Sequence, residues 1–244
     1  MPVEQTNPPS QKKLSDVQAK RDFRQIAIDK VGVKDVTYPL TIRTREGGEQ
    51  STIATVSMYV SLPHHQKGTH MSRFLEILND CCSDAIHPEQ LMQVCHEIRE
   101  KLDAEDAHLE VSFTYFMKKQ APVTGLPGLM DYQVDFECTA DGVSDFIMSV
   151  TVPATSLCPC SKTISAYGAH NQRCEIEARV RMKGMVWIED IVEIVEQSAS
   201  AQLYAVLKRP DEKYVTEEAY DHPKFVEDIV RDLAVALDET EKVT

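Results

Sequence analysis

No stretch of this chain is apolar over the ~20 residues that a membrane-spanning helix needs, and the opening segment MPVEQTNPPSQKK carries no apolar signal region. Neither insertion into a bilayer nor export is expected. Positive charge is also scarce: 26 Lys and Arg stand against 39 Asp and Glu, a formal net charge of -13. That excess works against a nucleic-acid surface or an anionic membrane, both of which need contiguous positive potential. A polyanionic ligand would have to meet a local basic cluster. Cys-x-x-Cys pairs are absent, which argues against a closed structural zinc site. Seven cysteines, an odd number in a chain too long to need stapling, fit a reducing cytoplasm better than a disulfide framework.

The 244 residues, 42% of them hydrophobic, allow one large domain or two modules of about 120 residues. The densest chemistry lies in Ser156 to Arg173, SLCPCSKTISAYGAHNQR, directly after the apolar run Phe146 to Val152. Loops leaving strand ends are where a rigid scaffold presents reactive groups. Three readings of this loop stay open. Cys158 and Cys160 can be small buried hydrophobes with His170 in a turn; Cys158 can be a nucleophile activated by His170; or the two can offer thiolate and imidazole to a borderline-soft ion such as zinc. Few protein ligands would leave a coordination position open. An open position suits metal-assisted hydrolysis, in which the pKa of water falls from about 15.7 to ~7.

Around this loop the chain punctuates itself. Residues 1–13 have little to bury and read as a flexible tail; residues 14–30 read as a short helix or partly ordered arm. Residues 33–43 and 52–62, separated by Glu46-Gly47-Gly48-Glu49, predict a β-hairpin. Helical spacing follows from Met71 through Phe74, Leu75, Ile77 and Leu78, and again from Pro88 through Leu91, Val94, Ile98 and Leu102. Strands are expected at 109–117, 131–138, 145–152 and 174–182, and helices at 188–207 and 217–237 with Pro210 between them. The Pro- and Gly-bearing stretch 121–128 is the expected module boundary. Met71, Met92, Met117 and Met148 read as core filler, and Cys81, Cys82 and Cys95 as buried helical thiols. Lys67, His70 and Arg73 stand at a loop-to-helix transition, where an anion would also meet free backbone N–H groups; a solvated charged loop is the competing reading. Spacing cannot select a functional acid among Glu212, Glu217, Glu218, Glu227 and Asp228.

Three stretches, LPHHQKGTHMSRFLEIL, SLCPCSKTISAYGAHNQR, and LKRPDEKYVTEEAY with PKFVEDIVRDLA, resemble GTP cyclohydrolase I of type IB, a metal-dependent bacterial family of folate biosynthesis. The resemblance implies an α+β tunnelling fold: two tandem ββααββ-like modules with antiparallel sheets and helices on one face, expected here at 14–122 and 123–244. It implies one divalent metal per subunit, Zn, Mn or Fe, held by Cys158, His170 and Glu212, with Cys158 and His170 catalytic and Cys160 in support. Glu227 would anchor the purine, and Lys67, His70 and Arg73 would contribute to a triphosphate pocket. The substrate would be GTP, the assembly a cytoplasmic homotetramer with inter-subunit sites, and the products formate and 7,8-dihydroneopterin triphosphate. Two alternatives remain: an NADPH-dependent nitrile reductase of queuosine biosynthesis on the same fold, or a purine- or metal-binding protein without turnover. Chains of that family continue past the last helix into further strands with a histidine-bearing segment, whereas this sequence ends at Thr244, so the second module is expected to be incomplete.

Overall fold

The computed structural model describes residues 16–18, 20–82 and 84–244. The expected tail at 1–13 lies outside them. The described part of the 14–30 segment is an arm and not a helix; it lies along the loop after the first hairpin, with the Asp22 amide donating to the His65 carbonyl and the Lys67 amide to the Lys20 carbonyl. The chain then enters β1 (Ile28–Arg43), which turns into β2 (Glu49–Leu62) as an antiparallel hairpin. Helices α1 (Met71–Cys81) and α2 (Gln90–Lys101) follow, then three long strands: β3 (Ala107–Gln120), β4 (Pro127–Ala140) and β5 (Ser144–Leu157). A short helix, α3 (Pro159–Ile164), precedes β6 (Asn171–Arg181), and the chain closes with α4 (Ile188–Ser198), β7 (Ala201–Gln202), α5 (Arg209–Asp221) and α6 (Val226–Asp238).

Strands β1 to β6 lie in chain order in one antiparallel sheet of seven strands, with β7 added beside β5. Alternation in the sequence decides its two faces. Leu109, Val111, Phe113 and Tyr115 on β3 and Val134, Phe136 and Cys138 on β4 are buried, while the alternating His108, Glu110, Ser112 and Thr114 are only half-buried on the opposite face. The helices cover the apolar face. Phe74, Ile77 and Leu78 of α1, Leu91, Val94, Cys95 and Ile98 of α2, and Ile188, Ile191, Val192 and Val195 of α4 enter one continuous core with the strands. Two buried acids of α4 reach down to the sheet. Glu189 accepts from the Tyr115 hydroxyl at 2.6 Å, and Glu196 from Lys119 Nζ at 2.5 Å and the Tyr132 hydroxyl at 3.2 Å, so each buried carboxylate is compensated.

Three sequence expectations change. The helix expected at 188–207 stops at Ser198, because β4 pairs with β5 only as far as Thr151 and leaves the edge of β5 beyond it free. β7 takes that edge opposite Ala154 and Thr155. The helix expected at 217–237 is two helices, α5 and α6, parted at Pro223, which lacks an N–H and disfavours helical geometry in the residue before it. Pro210 instead sits in the first turn of α5, where its missing donor costs nothing. Met71 is 41% exposed and is not core filler.

The division expected at 122/123 falls in the β3–β4 turn, and β3 and β4 pair along their whole length on either side of it. One buried side chain anchors that turn. Asp211 in the first turn of α5 accepts from the amides of Val123 and Thr124 and the Thr124 hydroxyl at 2.7 to 2.9 Å, and from the Lys208 amide at 2.9 Å. Burial alone would raise its pKa, but these hydrogen bonds outweigh it and hold the carboxyl well below the usual range. A depressed folded-state pKa stabilises the fold above the unfolded value of about 3.9 and loses that contribution as pH falls toward the folded one. Asp211→Asn is therefore expected to lower the urea midpoint at pH 7, and the gap to the parent should narrow between about pH 4 and pH 2. A gap independent of pH would contradict the assignment.

Candidate functional site

The site is built at the end of β5. Leu157 is buried, Cys158 is half-buried and Cys160 is exposed, so the strand delivers the first thiol to the boundary of the protein and the second to solvent. The reading of both cysteines as buried hydrophobes therefore fails. α3, which the sequence reading missed, begins directly after Cys158 with Pro159 in its first turn. Cys158 Sγ lies against the backbone N–H of Ser161, which holds the thiol below its ordinary pKa; partial burial opposes the shift, and Cys160 supports it. Burial acts the other way on the helical thiols, pushing Cys81 and Cys95 up to about 12 and Cys82 to about 11. Of these four thiols, Cys158 is the one shifted toward the thiolate.

His170 returns to it after an exposed loop. Gly168 makes that return in the left-handed region, φ +117°, which a residue with a side chain rarely adopts. The Cys158 amide then donates to the His170 carbonyl at 3.2 Å, and Ser161 Oγ accepts from the His170 amide at 3.1 Å. The two predicted ligands are neighbours across this junction. Glu212 is exposed in the first turn of α5, and among the described residues no three His, Cys, Asp or Glu side chains gather into a metal-ligating group. The chain brings Cys158 and His170 together and does not bring Glu212 to them. Thiolate and imidazole are the right donors for a soft or borderline divalent ion, so the pair fits one as part of a set completed by another group.

The end of β5 also fixes the acids on the last two helices. At the α5–α6 corner the Lys224 amide donates to the Leu157 carbonyl at 3.1 Å, and the Ser156 hydroxyl donates to the Lys224 carbonyl at 3.2 Å. Lys224 Nζ donates to the Ser198 carbonyl at 2.9 Å and pairs with Asp232 at 2.8 Å. Lys162 Nζ stands 4.1 Å from the centre of the Tyr220 ring and donates to the Tyr220 carbonyl, which joins α3 to α5. Glu227 lies exposed in the first turn of α6, just past this corner.

The predicted anion cluster is elsewhere in the chain, at the entry to α1. His70 is the residue before the helix, and its Nε2 is 3.1 Å from Asp16 of the N-terminal arm; Arg73 donates to the Lys101 carbonyl at 3.2 Å. His64 and His65 are exposed, as expected. Sequence reasoning missed Ser161 and Asp211, whose neighbours Cys160 and Glu212 took the attention; the signal for Asp211 was its i, i+4, i+8 spacing with Val215 and Ala219 on the inner face of α5.

Type I GTP cyclohydrolase folE2 is the family that matches, over residues 14–244. The chain belongs to that family. It is 55% identical over 222 residues to GTP cyclohydrolase FolE2 of Magnetococcus marinus, covering 91% of this chain and 83% of that protein. It is 53% identical over 238 residues to GTP cyclohydrolase FolE2 of Nitrosococcus oceani, covering 97% and 89%. Among solved structures, uricase from Arthrobacter globiformis matches in fold, with a TM-score of 0.50 at 9% identity over 88% of this chain and 78% of that one. The FolE2 family therefore joins this sequence to an α+β architecture shared with a protein of very different sequence.

Proposed function

We propose that this FolE2 family member is a GTP cyclohydrolase: it opens the imidazole ring of the guanine of GTP, releases C8 as formate, and closes the remainder to 7,8-dihydroneopterin triphosphate at the entry to tetrahydrofolate biosynthesis. The observation that carries this reading is identity of 51–55% with curated GTP cyclohydrolases across more than nine-tenths of the chain. The site supports it. Cys158 and His170, with Glu212 as third ligand, would hold one divalent ion, Zn, Mn or Fe, which when bound supplies hydroxide at neutral pH. Glu227 accepts the parallel N1–H and amino donors of guanine, and Cys160 supports the ligand loop. Lys67, His70 and Arg73 contribute to binding of the triphosphate, for which His70 must leave Asp16.

The same reading explains why the named residues do not converge in one chain. His170, Glu212, Glu227, Lys67 and Arg73 are all exposed, and β1 and β6 stand at open sheet edges. A tunnelling fold of two modules meeting within the sheet would complete its sites between subunits, most simply in a homotetramer, and pair those edges. Light scattering is expected to give a tetramer; an active monomer would contradict it. No described helix is long and apolar enough to cross a membrane, and the free cysteines suit the cytoplasm.

Incubation with GTP and a divalent metal tests the activity. Stoichiometric formate and a fluorescent pterin after oxidation are expected, whereas GTP binding without formate would reduce the protein to a binding module. Family membership separates the chain from the nitrile reductases, and NADPH should have no effect on the reaction.

A further inference from the structure

Ser161 closes a ring of hydrogen bonds around the two residues assigned to the ion. Its hydroxyl donates to the Cys158 carbonyl at 3.0 Å and accepts from the His170 amide at 3.1 Å, while the Cys158 amide donates to the His170 carbonyl at 3.2 Å. One hydroxyl thus donates to one ligand residue and accepts from the other. His170 is the residue before β6, and the ladder of β6 with β5 ends at the Leu157–Asn171 pair, so the ring lies where the pairing of the sheet runs out. The loop before His170 carries Ile164 at 85% and Tyr167 at 101% exposure, and a turn at Gly168 against which a side chain would find nothing within 4 Å. α3 itself has no buried residue; outside the ring, Lys162 ties it to Tyr220 of α5, and Ala169 packs against Leu157, Ala201 and Ala219.

We propose that Ser161 is a positioning residue that fixes the backbones at Cys158 and His170 in one register, so that thiolate and imidazole meet a single divalent cation at a set separation. The inference rests on the ligand assignment made under the proposed function. Ser161 touches neither cation nor substrate in this role; it acts through the two residues it ties. Loss of its hydroxyl would leave both ligands present and joined by the Cys158 amide and the His170 carbonyl alone, so part of the entropy of fixing them together would be met at binding.

The test uses the full chain, stripped with a chelator and titrated with Co²⁺, following the thiolate-to-cobalt charge-transfer absorption. Ser161→Ala is expected to weaken cobalt binding about 10- to 100-fold, the usual effect of removing a group that orients a ligand. Ser161→Thr and Ser161→Val have nearly the same shape and differ in the hydroxyl. Any strain from the added methyl is therefore common to both, and threonine should bind cobalt well above valine, even if alanine fails to fold. Equal affinity and equal charge-transfer intensity in the Thr and Val variants would overturn the positioning role. Cys158→Ala run alongside separates the two levels: if it also keeps the parent affinity, the ligand assignment itself is wrong, and if it alone loses cobalt, only the role of Ser161 is.

Discussion

Cys158→Ala is expected to purify without its divalent ion and to turn over GTP about 10⁴-fold more slowly, the scale set by losing both the Lewis acid and the supply of hydroxide at neutral pH. Elemental analysis and formate release are the measurements, with circular dichroism to show that the sheet survives. Survival is expected because Cys158 is half-buried at a strand end and lies outside both clusters of buried apolar residues. Cys160→Ala offers the contrast. Its thiol is exposed, so that variant should keep metal and lose no more than about 100-fold in affinity. Full metal content in Cys158→Ala would sink the assignment.

Glu227→Gln is expected to reduce kcat/KM for GTP by about 10³- to 10⁴-fold while metal content stays near normal. Guanine presents N1–H and its exocyclic amine as two parallel donors, which one carboxylate can accept together. A carboxamide keeps one acceptor and turns an N–H₂ toward the second donor, leaving two donors face to face. The fold should hardly notice: Glu227 is exposed in the first turn of α6, so only a favourable interaction with the helix N-terminus is lost and the melting temperature should move by no more than about 2 °C. Glu212→Gln should behave in the opposite order, losing metal before it loses affinity for the base. If Glu227→Gln strips the ion, or hydrolyses GTP like the parent, the roles of these two glutamates are wrong.

How far the sequence discloses this molecule depends on whether the deciding interaction is local. The strands were legible because alternation is local: EIEARVRM can bury only one of its faces, and β6 shows that pattern. The first hairpin and α1 and α2 were legible for the same reason, from spacing, a Gly-Gly turn and a proline at a helix start. β7 was not. Its two residues find a partner because β4, which continues along β3 to Pro127, leaves β5 at Thr151, a fact about several elements at once. The break between α5 and α6 was legible at Pro223, and an amphipathic pattern that continued through the proline concealed it. In the site, Cys158 and His170 stood out by residue type, but their relation did not, because it runs through backbone groups and the hydroxyl of Ser161. Asp211 and Glu212 show the limit most plainly: adjacent acids of similar chemistry, one at 0% exposure binding the β3–β4 turn and the other facing solvent.

The corner at Lys224 has a mechanical consequence. α6 is held at both ends, at its start by the bonds of Lys224 to Leu157, Ser156 and Ser198 and past its last turn by the backbone bonds of Lys242 and Thr244 to Lys183 and Arg181, while Leu233 is buried between them. The helix is thus a beam clamped at two points, and the clamp at its start rests on the residue that precedes Cys158. A disturbance of the outer surface therefore meets both ends of the beam before it can shift Glu227 relative to the end of β5.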